Sequence, residues 1–183
     1  VVVATGEDFA DALAGSYLAV EKNAPIILTN GKDDNIAALH TYIADNVTAG
    51  GTVYILGGKV AVPENVSTAF ADYKVVRLAG DDRYETNLLI LEEAGVDKED
   101  ILIATGTNYA DSLSASATGN PILLVGKKLS AAQNEFLKAH ASNKMFILGG
   151  TVAVGTALED EVKAINSGVT RLAGADRYAT STL

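Results

Sequence analysis

Apolar residues along this chain follow two alternating patterns. Short runs that are apolar at nearly every position occur at residues 1–4, 25–28, 53–56 and 75–78, and again at 101–104, 121–125, 145–148 and 169–172. Continuous apolar runs of this length suit parallel strands covered on both faces. Between them the spacing becomes helical. Ile36, Leu39, Ile43 and Val47 fall on one helical face, as do Val66, Ala69, Phe70 and Tyr73, and again Leu158, Val162 and Ile165. Ser130 with Gln133 fits a capping box. Pro63 suits a first helical turn, where a missing N–H costs little. Strands alternating with helices of this length predict βαβ units, hence an α/β fold of three layers around mostly parallel sheets.

The pattern is written twice. Ala4-Thr5-Gly6-Glu7-Asp8-Phe9-Ala10-Asp11 is answered by Ala104-Thr105-Gly106-Thr107-Asn108-Tyr109-Ala110-Asp111, and Pro25-Ile26-Ile27-Leu28 by Pro121-Ile122-Leu123-Leu124. Ile55-Leu56-Gly57-Gly58-Lys59-Val60-Ala61-Val62 is answered by Ile147-Leu148-Gly149-Gly150-Thr151-Val152-Ala153-Val154. The block from Arg77 through Thr86 returns from Arg171 through Thr180. Four matched blocks in one order define a tandem repeat of roughly 95 residues, the size of a small domain and not of a solenoid turn. The expected units are 1–96 and 97–183. Only the short polar turn Asp97–Asp100 joins them, which predicts units in contact. The chain opens inside a strand at Val1-Val2-Val3 and stops at Ser181-Thr182-Leu183 as a helix begins, so it reads as a portion of a longer array.

Composition narrows the functional classes. The net charge is −9 over 183 residues. Nucleic acid partners demand an excess of Lys and Arg, so this balance argues against them. No apolar run reaches the length of a membrane span. Cysteine is absent, which removes thiol catalysis, disulfides and Cys-based zinc sites. His40 and His140 lie on predicted helices and do not align in the repeat, so a duplicated His-based site is not expected. Asp33-Asp34 and Glu92-Glu93 read as solvated charges. No carboxylate or His cluster has metal-ligand spacing. The expectation is a non-enzymatic chain without cofactor or metal.

The recurring polar residues are the candidate chemistry. Gly6 and Gly106 follow the first strand of each unit, permit a sharp turn, and precede a helix start whose N–H groups can hold an anion. Neither a Walker A loop nor Gly-x-Gly-x-x-Gly is present. Asp11 and Asp111 sit inside apolar helical stretches, where a bare carboxylate is costly. The expected partners are Arg83 and Arg177, either as a packing pair or as part of a polar site. Gly80-x-Asp82-Arg83-Tyr84-x-Thr86 and Gly174-x-Asp176-Arg177-Tyr178-x-Thr180 link a strand to a helix. Asp82 and Asp176 can cap that helix. Arg offers a planar double contact to phosphate or carboxylate, and Tyr offers a face for a sugar. Gly57-Gly58 and Gly149-Gly150 mark turns at strand ends.

At these blocks the chain resembles the cell wall binding repeat 2 family. The carrying residues are Arg77-Leu78-Ala79-Gly80-Asp81-Asp82-Arg83-Tyr84-Glu85-Thr86, the Ala-Thr-Gly-x-x-aromatic-Ala-Asp blocks, and Pro121-Ile122-Leu123-Leu124, which is similar to the family's Pro-Ile-Leu-Leu motif; the first unit departs from it at Ile27. The resemblance implies tandem Rossmann-like modules, usually three in a triangular pseudo-trimer, in secreted surface proteins of Gram-positive bacteria such as the clostridial S-layer. It implies non-covalent anchoring to an anionic cell wall polysaccharide, with activity carried by a separate domain and a third repeat outside this chain. Counted as that family often is, from the Arg-Leu-Ala-Gly block, residues 77–170 form one complete repeat. Taken with the residue chemistry above, the candidate ligand contacts are Asp82, Arg83, Tyr84, Thr86, Asp176, Arg177, Tyr178 and Thr180, with Asp11, Asp111 and Pro121, Ile122, Leu123 and Leu124. Two other readings stay open: a nucleotide- or sugar-handling enzyme on duplicated Rossmann-like units, and a purely structural spacer.

Overall fold

All eight apolar runs form strands in a computed structural model that describes residues 1–183. The first unit, Val1–Glu93, is built from β1 (Val2–Thr5), α1 (Ala10–Glu21), β2 (Ile26–Thr29), α2 (Asp33–Asn46), β3 (Thr52–Leu56), α3 (Glu64–Ala69), β4 (Lys74–Leu78) and α4 (Arg83–Ala94). The second, Ala94–Leu183, contains β5 (Ile101–Thr105), α5 (Ala110–Ser116), β6 (Ile122–Val125), α6 (Ala131–Ala139), β7 (Met145–Leu148), α7 (Thr156–Ile165), β8 (Thr170–Leu172) and α8 (Arg177–Thr180).

Each unit has one four-stranded sheet, ordered β2-β1-β3-β4 and β6-β5-β7-β8, with every pair parallel. The chain steps one way from β1 to β2 and then back past β1 to β3. Right-handed crossovers in opposite directions put successive helices on opposite faces. Val3, Val53 and Ile55 accordingly share a core with Leu39 and Ile43 of α2 and Val66 of α3. On the other face α1 approaches so closely that a Cβ on Gly15 would meet Leu56 and Val2. From α4, Glu93 accepts a hydrogen bond from Tyr54 Oη at 3.1 Å. The result is three layers, α2 and α3, sheet, α1 and α4. The central strands carry the core: Val2, Val3, Ile55, Leu56, Ile101, Ile103 and Ile147 are all fully enclosed. Each such side chain contributes about 1.5–3 kcal/mol relative to exposure.

Local signals hold with small shifts. The first strand of each unit ends on a threonine beyond its apolar run, because Thr5 continues the ladder opposite Thr29 and Thr105 opposite Val125. The capping box forms: Ser130 Oγ accepts the Gln133 N–H at 3.1 Å, and Gln133 Oε1 accepts the Ser130 N–H at 3.0 Å. Pro63 stands one position earlier than expected, as the residue before α3 rather than in its first turn. Gly6 and Gly106 make the expected strand-to-helix turn without a positive φ; Gly57 (φ 97°) and Gly149 (φ 87°) are among the glycines that do adopt one. No helix is long and apolar enough to cross a membrane.

Candidate functional site

A parallel sheet whose strand order reverses leaves a crevice beyond the carboxyl ends of its strands. Here the reversal lies between β1 and β3 in one unit and between β5 and β7 in the other. A cleft of about 660 Å³ opens there in the first unit and one of about 580 Å³ in the second. Three matching loops wall each cleft. They follow β1, β3 and β4 in the first unit, and β5, β7 and β8 in the second.

The Gly-Gly loop is held by an arginine. Arg77 Nη1 donates to the carbonyls of Gly57 at 2.8 Å and Val62 at 3.0 Å, and Nη2 donates to Ser67 Oγ at 2.6 Å. Arg171 repeats the grip on Gly149 O at 2.6 Å and Val154 O at 2.9 Å, and pairs with Glu159 Oε2 at 2.7 Å. Sequence reasoning passed over this role, although the arginine opens the recurring Arg-Leu-Ala-Gly block. The glycine is required for a second reason besides its positive φ. A Cβ on Gly57 would fall on Asp11 Oδ2, and one on Gly149 on Asp111 Oδ2. Each aspartate therefore lies directly against the loop backbone.

The third loop fixes itself. Asp82 Oδ1 accepts the N–H groups of Tyr84 at 2.8 Å and Glu85 at 2.9 Å. Asp176 Oδ1 accepts that of Ala179 at 2.8 Å. Thr86 Oγ1 and Thr180 Oγ1 take the N–H of Gly80 and Gly174, each at 3.0 Å. Asp82, Asp176, Thr86 and Thr180 thus shape the helix start while lining the cleft beside Arg83 and Arg177.

The expected Asp–Arg pairs do not form. Arg83 Nη2 bonds Asp8 Oδ2 at 3.1 Å, with the guanidinium 5.6 Å above the Phe9 ring. Asp8 is exposed at the mouth of the cleft, whereas Asp11 is turned onto Gly57, so the nearer carboxylate takes the cation. Partial burial raises the Asp11 carboxyl above its ordinary value; the charge of Asp8 adds to this and that of Arg83 opposes it. In the second unit Asn108 stands where Asp8 does and uses Oδ1 to accept the Ala110 N–H at 3.1 Å. Arg177 is exposed there and no ion pair joins it to Asp111.

Pro121, Ile122, Leu123 and Leu124 require a correction. They are not brought to either cleft. Pro121 is buried and the next three are 0–1% exposed as the body of β6, so they have no surface to offer a ligand. Tyr84 is half-buried, and Tyr178 is 76% exposed. Two cleft residues escaped sequence reasoning altogether. Val60 and Val152 occupy equivalent positions on the Gly-Gly loops and are fully exposed, at 101% and 102%. The histidines stay outside both clefts: His40 stacks on Phe70, and His140 lies with its ring nitrogens against the carbonyls of Phe136 and Val96. No group of three His, Cys, Asp or Glu side chains is arranged to hold a metal.

Two Rossmann-like units with matching polar clefts at their switch points define a duplicated α/β module of the kind that presents loops to a ligand. The chain belongs to the family described as Cell wall binding domain 2 (CWB2), which it matches over residues 1–67 and 77–159. It is 32% identical over 184 residues to the N-acetylmuramoyl-L-alanine amidase LytC of Bacillus subtilis (strain 168), covering 97% of this chain and 36% of LytC. Cwp8 from Clostridium difficile shares the fold with a TM-score of 0.89 and 29% identity, over 99% of this chain and 32% of that one. Cwp6 from Clostridium difficile gives 0.80 and 27%, over 98% of this chain and 30% of that one. The chain therefore spans about a third of the length of these relatives. It is a cell wall binding module of a cell-wall-associated surface protein of Gram-positive type.

Proposed function

We propose that the module holds a surface protein on the cell wall by binding an anionic wall polysaccharide non-covalently in its two clefts, and that it catalyses no reaction on it. The observation that carries this reading is the duplication of the cleft itself. The same three loops bring an arginine, a backbone-docked aspartate and a fully exposed valine to the same place twice. A guanidinium can take an acidic group of the polymer through two parallel bonds. The valine can cover an apolar patch of a sugar ring. Because the chain as a whole is acidic, attraction has to be local and short in range, and so sensitive to salt.

The test is a pull-down of the chain on purified wall polymer, with the double variant Arg83→Ala and Arg177→Ala. Retention that falls with the double variant and with added salt is the expected result. Undiminished retention by the double variant overturns the role given to these arginines. A third repeat fits the same picture. Leu28 of β2 is 52% exposed and Val20 is 56% exposed, whereas Leu124, the counterpart of Leu28, is fully buried. A neighbouring repeat would cover that apolar edge, and the same pull-down on a chain extended by it measures what it adds.

A further inference from the structure

The two clefts are alike in plan and unlike in charge. Glu7, Asp8, Asp11, Asp81 and Asp82 line the first, against Lys59 and Arg83. Both of those cations already have carboxylate partners: Arg83 holds Asp8 at 3.1 Å, and Lys59 holds Glu64 at 3.3 Å. In the second cleft the acidic lining shrinks to Asp111 and Asp176. Thr107 replaces Glu7, Asn108 replaces Asp8, and Ala175 replaces Asp81. Its one cation, Arg177, is exposed and has no ion-pair partner.

We infer that the second unit carries the principal anion site of the module, and that Asp8 sets the first unit's cleft apart as a weak one by occupying Arg83. This rests on the reading of the clefts as polysaccharide sites and assigns them unequal shares. An anionic sugar entering the first cleft must displace a carboxylate from Arg83 and face four more. One entering the second meets an arginine with no such competitor. Removing an internal competitor raises affinity without adding any contact. The residue at position 8 or 108 is then the determinant of which cleft binds.

Reciprocal substitutions test this on the intact chain, titrated with purified anionic wall polysaccharide by calorimetry at neutral pH and low salt. Arg177→Ala is expected to weaken binding about tenfold or more, the scale of one charge-assisted double contact. Arg83→Ala is expected to change it by less than about twofold, since its charge is already taken. Asp8→Asn should strengthen binding severalfold and restore part of what Arg177→Ala removes. Asn108→Asp should weaken binding severalfold while leaving the fold intact, as checked by circular dichroism. Equal losses from Arg83→Ala and Arg177→Ala overturn the inference, and so does an Asp8→Asn variant that binds no better than the parent chain. Absence of binding by the parent chain overturns the polysaccharide reading itself, and the inference with it.

Discussion

In both units one arginine grips one loop, but the two grips are balanced differently. Arg77 spends its donors on two carbonyls and the Ser67 hydroxyl, and its nearest carboxylate, on Glu64, lies 3.8 Å away. Arg171 reaches the matching carbonyls and adds Glu159 at 2.7 Å, which Lys163 in turn holds at 2.9 Å. What repeats is the action of the guanidinium on the backbone. How its charge is neutralised does not repeat. The same contrast runs through the clefts, where Arg83 is paired and Arg177 is exposed. The repeat therefore preserves a loop geometry and lets the electrostatics around it diverge.

The staple offers the largest expected effect. Arg171→Ala strands the Gly149 and Val154 carbonyls and leaves Glu159 to Lys163 alone. Losing these charge-assisted hydrogen bonds costs about 3 kcal/mol. Arg77→Ala strands the equivalent carbonyls but leaves a hydroxyl and an exposed carboxylate, for about 2 kcal/mol. Hydrogen exchange followed by mass spectrometry resolves the two units separately, which a single melting temperature of a two-unit chain does not. Protection should fall in the unit that is mutated, and further for Arg171→Ala. Equal losses would erase the distinction drawn between the two staples.

The strands were legible in the sequence because parallel strands buried on both faces leave unbroken apolar runs, and the repeat confirmed each run by its partner. The parallel pairing followed from the strand–helix alternation, and the strand order came only with the structure. Side-chain partners were harder to read. Asp11 and Arg83 recur together, yet recurrence says only that both are needed, and the geometry gives Arg83 to the non-recurring Asp8. The same limit applies to Pro121-Ile122-Leu123-Leu124. A motif that marks a family can be preserved for the interior of a sheet, and 0–1% exposure at Ile122, Leu123 and Leu124 leaves them that part here. Arg77 and Arg171 were visible but undistinguished, since nothing in a linear sequence says that an arginine on an edge strand points back at a preceding glycine loop. Val60 and Val152 stood in the sequence only as part of the recurring turn block. In the folded chain both are turned fully to solvent.

A second contrast concerns pH, and the two units respond with opposite sign. Hydrogen bonds from Lys163 and then Arg171 hold the Glu159 carboxyl below its ordinary value of 4.5, so its contribution is present above that value and is lost as pH falls through the lower folded one. Glu159→Gln should therefore destabilise the second unit at neutral pH, and the deficit should shrink in acid. Asp11 runs the other way. Burial raises its carboxyl above 3.8, so the ionised form carries a penalty at neutral pH that disappears as pH drops below that value. Asp11→Asn should stabilise the first unit at pH 7 and be neutral near pH 3. Exchange protection of each unit across pH 3 to 7 reads both trends at once. Parallel trends in the two variants would contradict the assigned causes.

The smallest effect separates the two helices that follow the second strand of each unit. α6 begins with the reciprocal Ser130–Gln133 cap. α2 begins after Lys32, whose side chain caps nothing, and its start is tied differently: Asn30 Oδ1 accepts the Lys32 N–H at 3.0 Å, while Asn35 Oδ1 takes the Thr29 hydroxyl at 2.7 Å. Asp33 and Asp34 in its first turn already complement the helix dipole. A capping hydroxyl is what α2 lacks. Lys32 has the extended backbone of an N-cap, at φ −85° and ψ 152°, so a serine there is placed to accept the Asn35 N–H. Lys32→Ser should stabilise the first unit by about 0.5–1 kcal/mol, and Ser130→Ala should destabilise the second by about 1 kcal/mol. Amide exchange at the first turns of α2 and α6 measures each change where it acts. No gain at α2 would mean that the Asn30–Asn35 arrangement already does the work of a cap, and that the two helix starts are alternative solutions of equal strength.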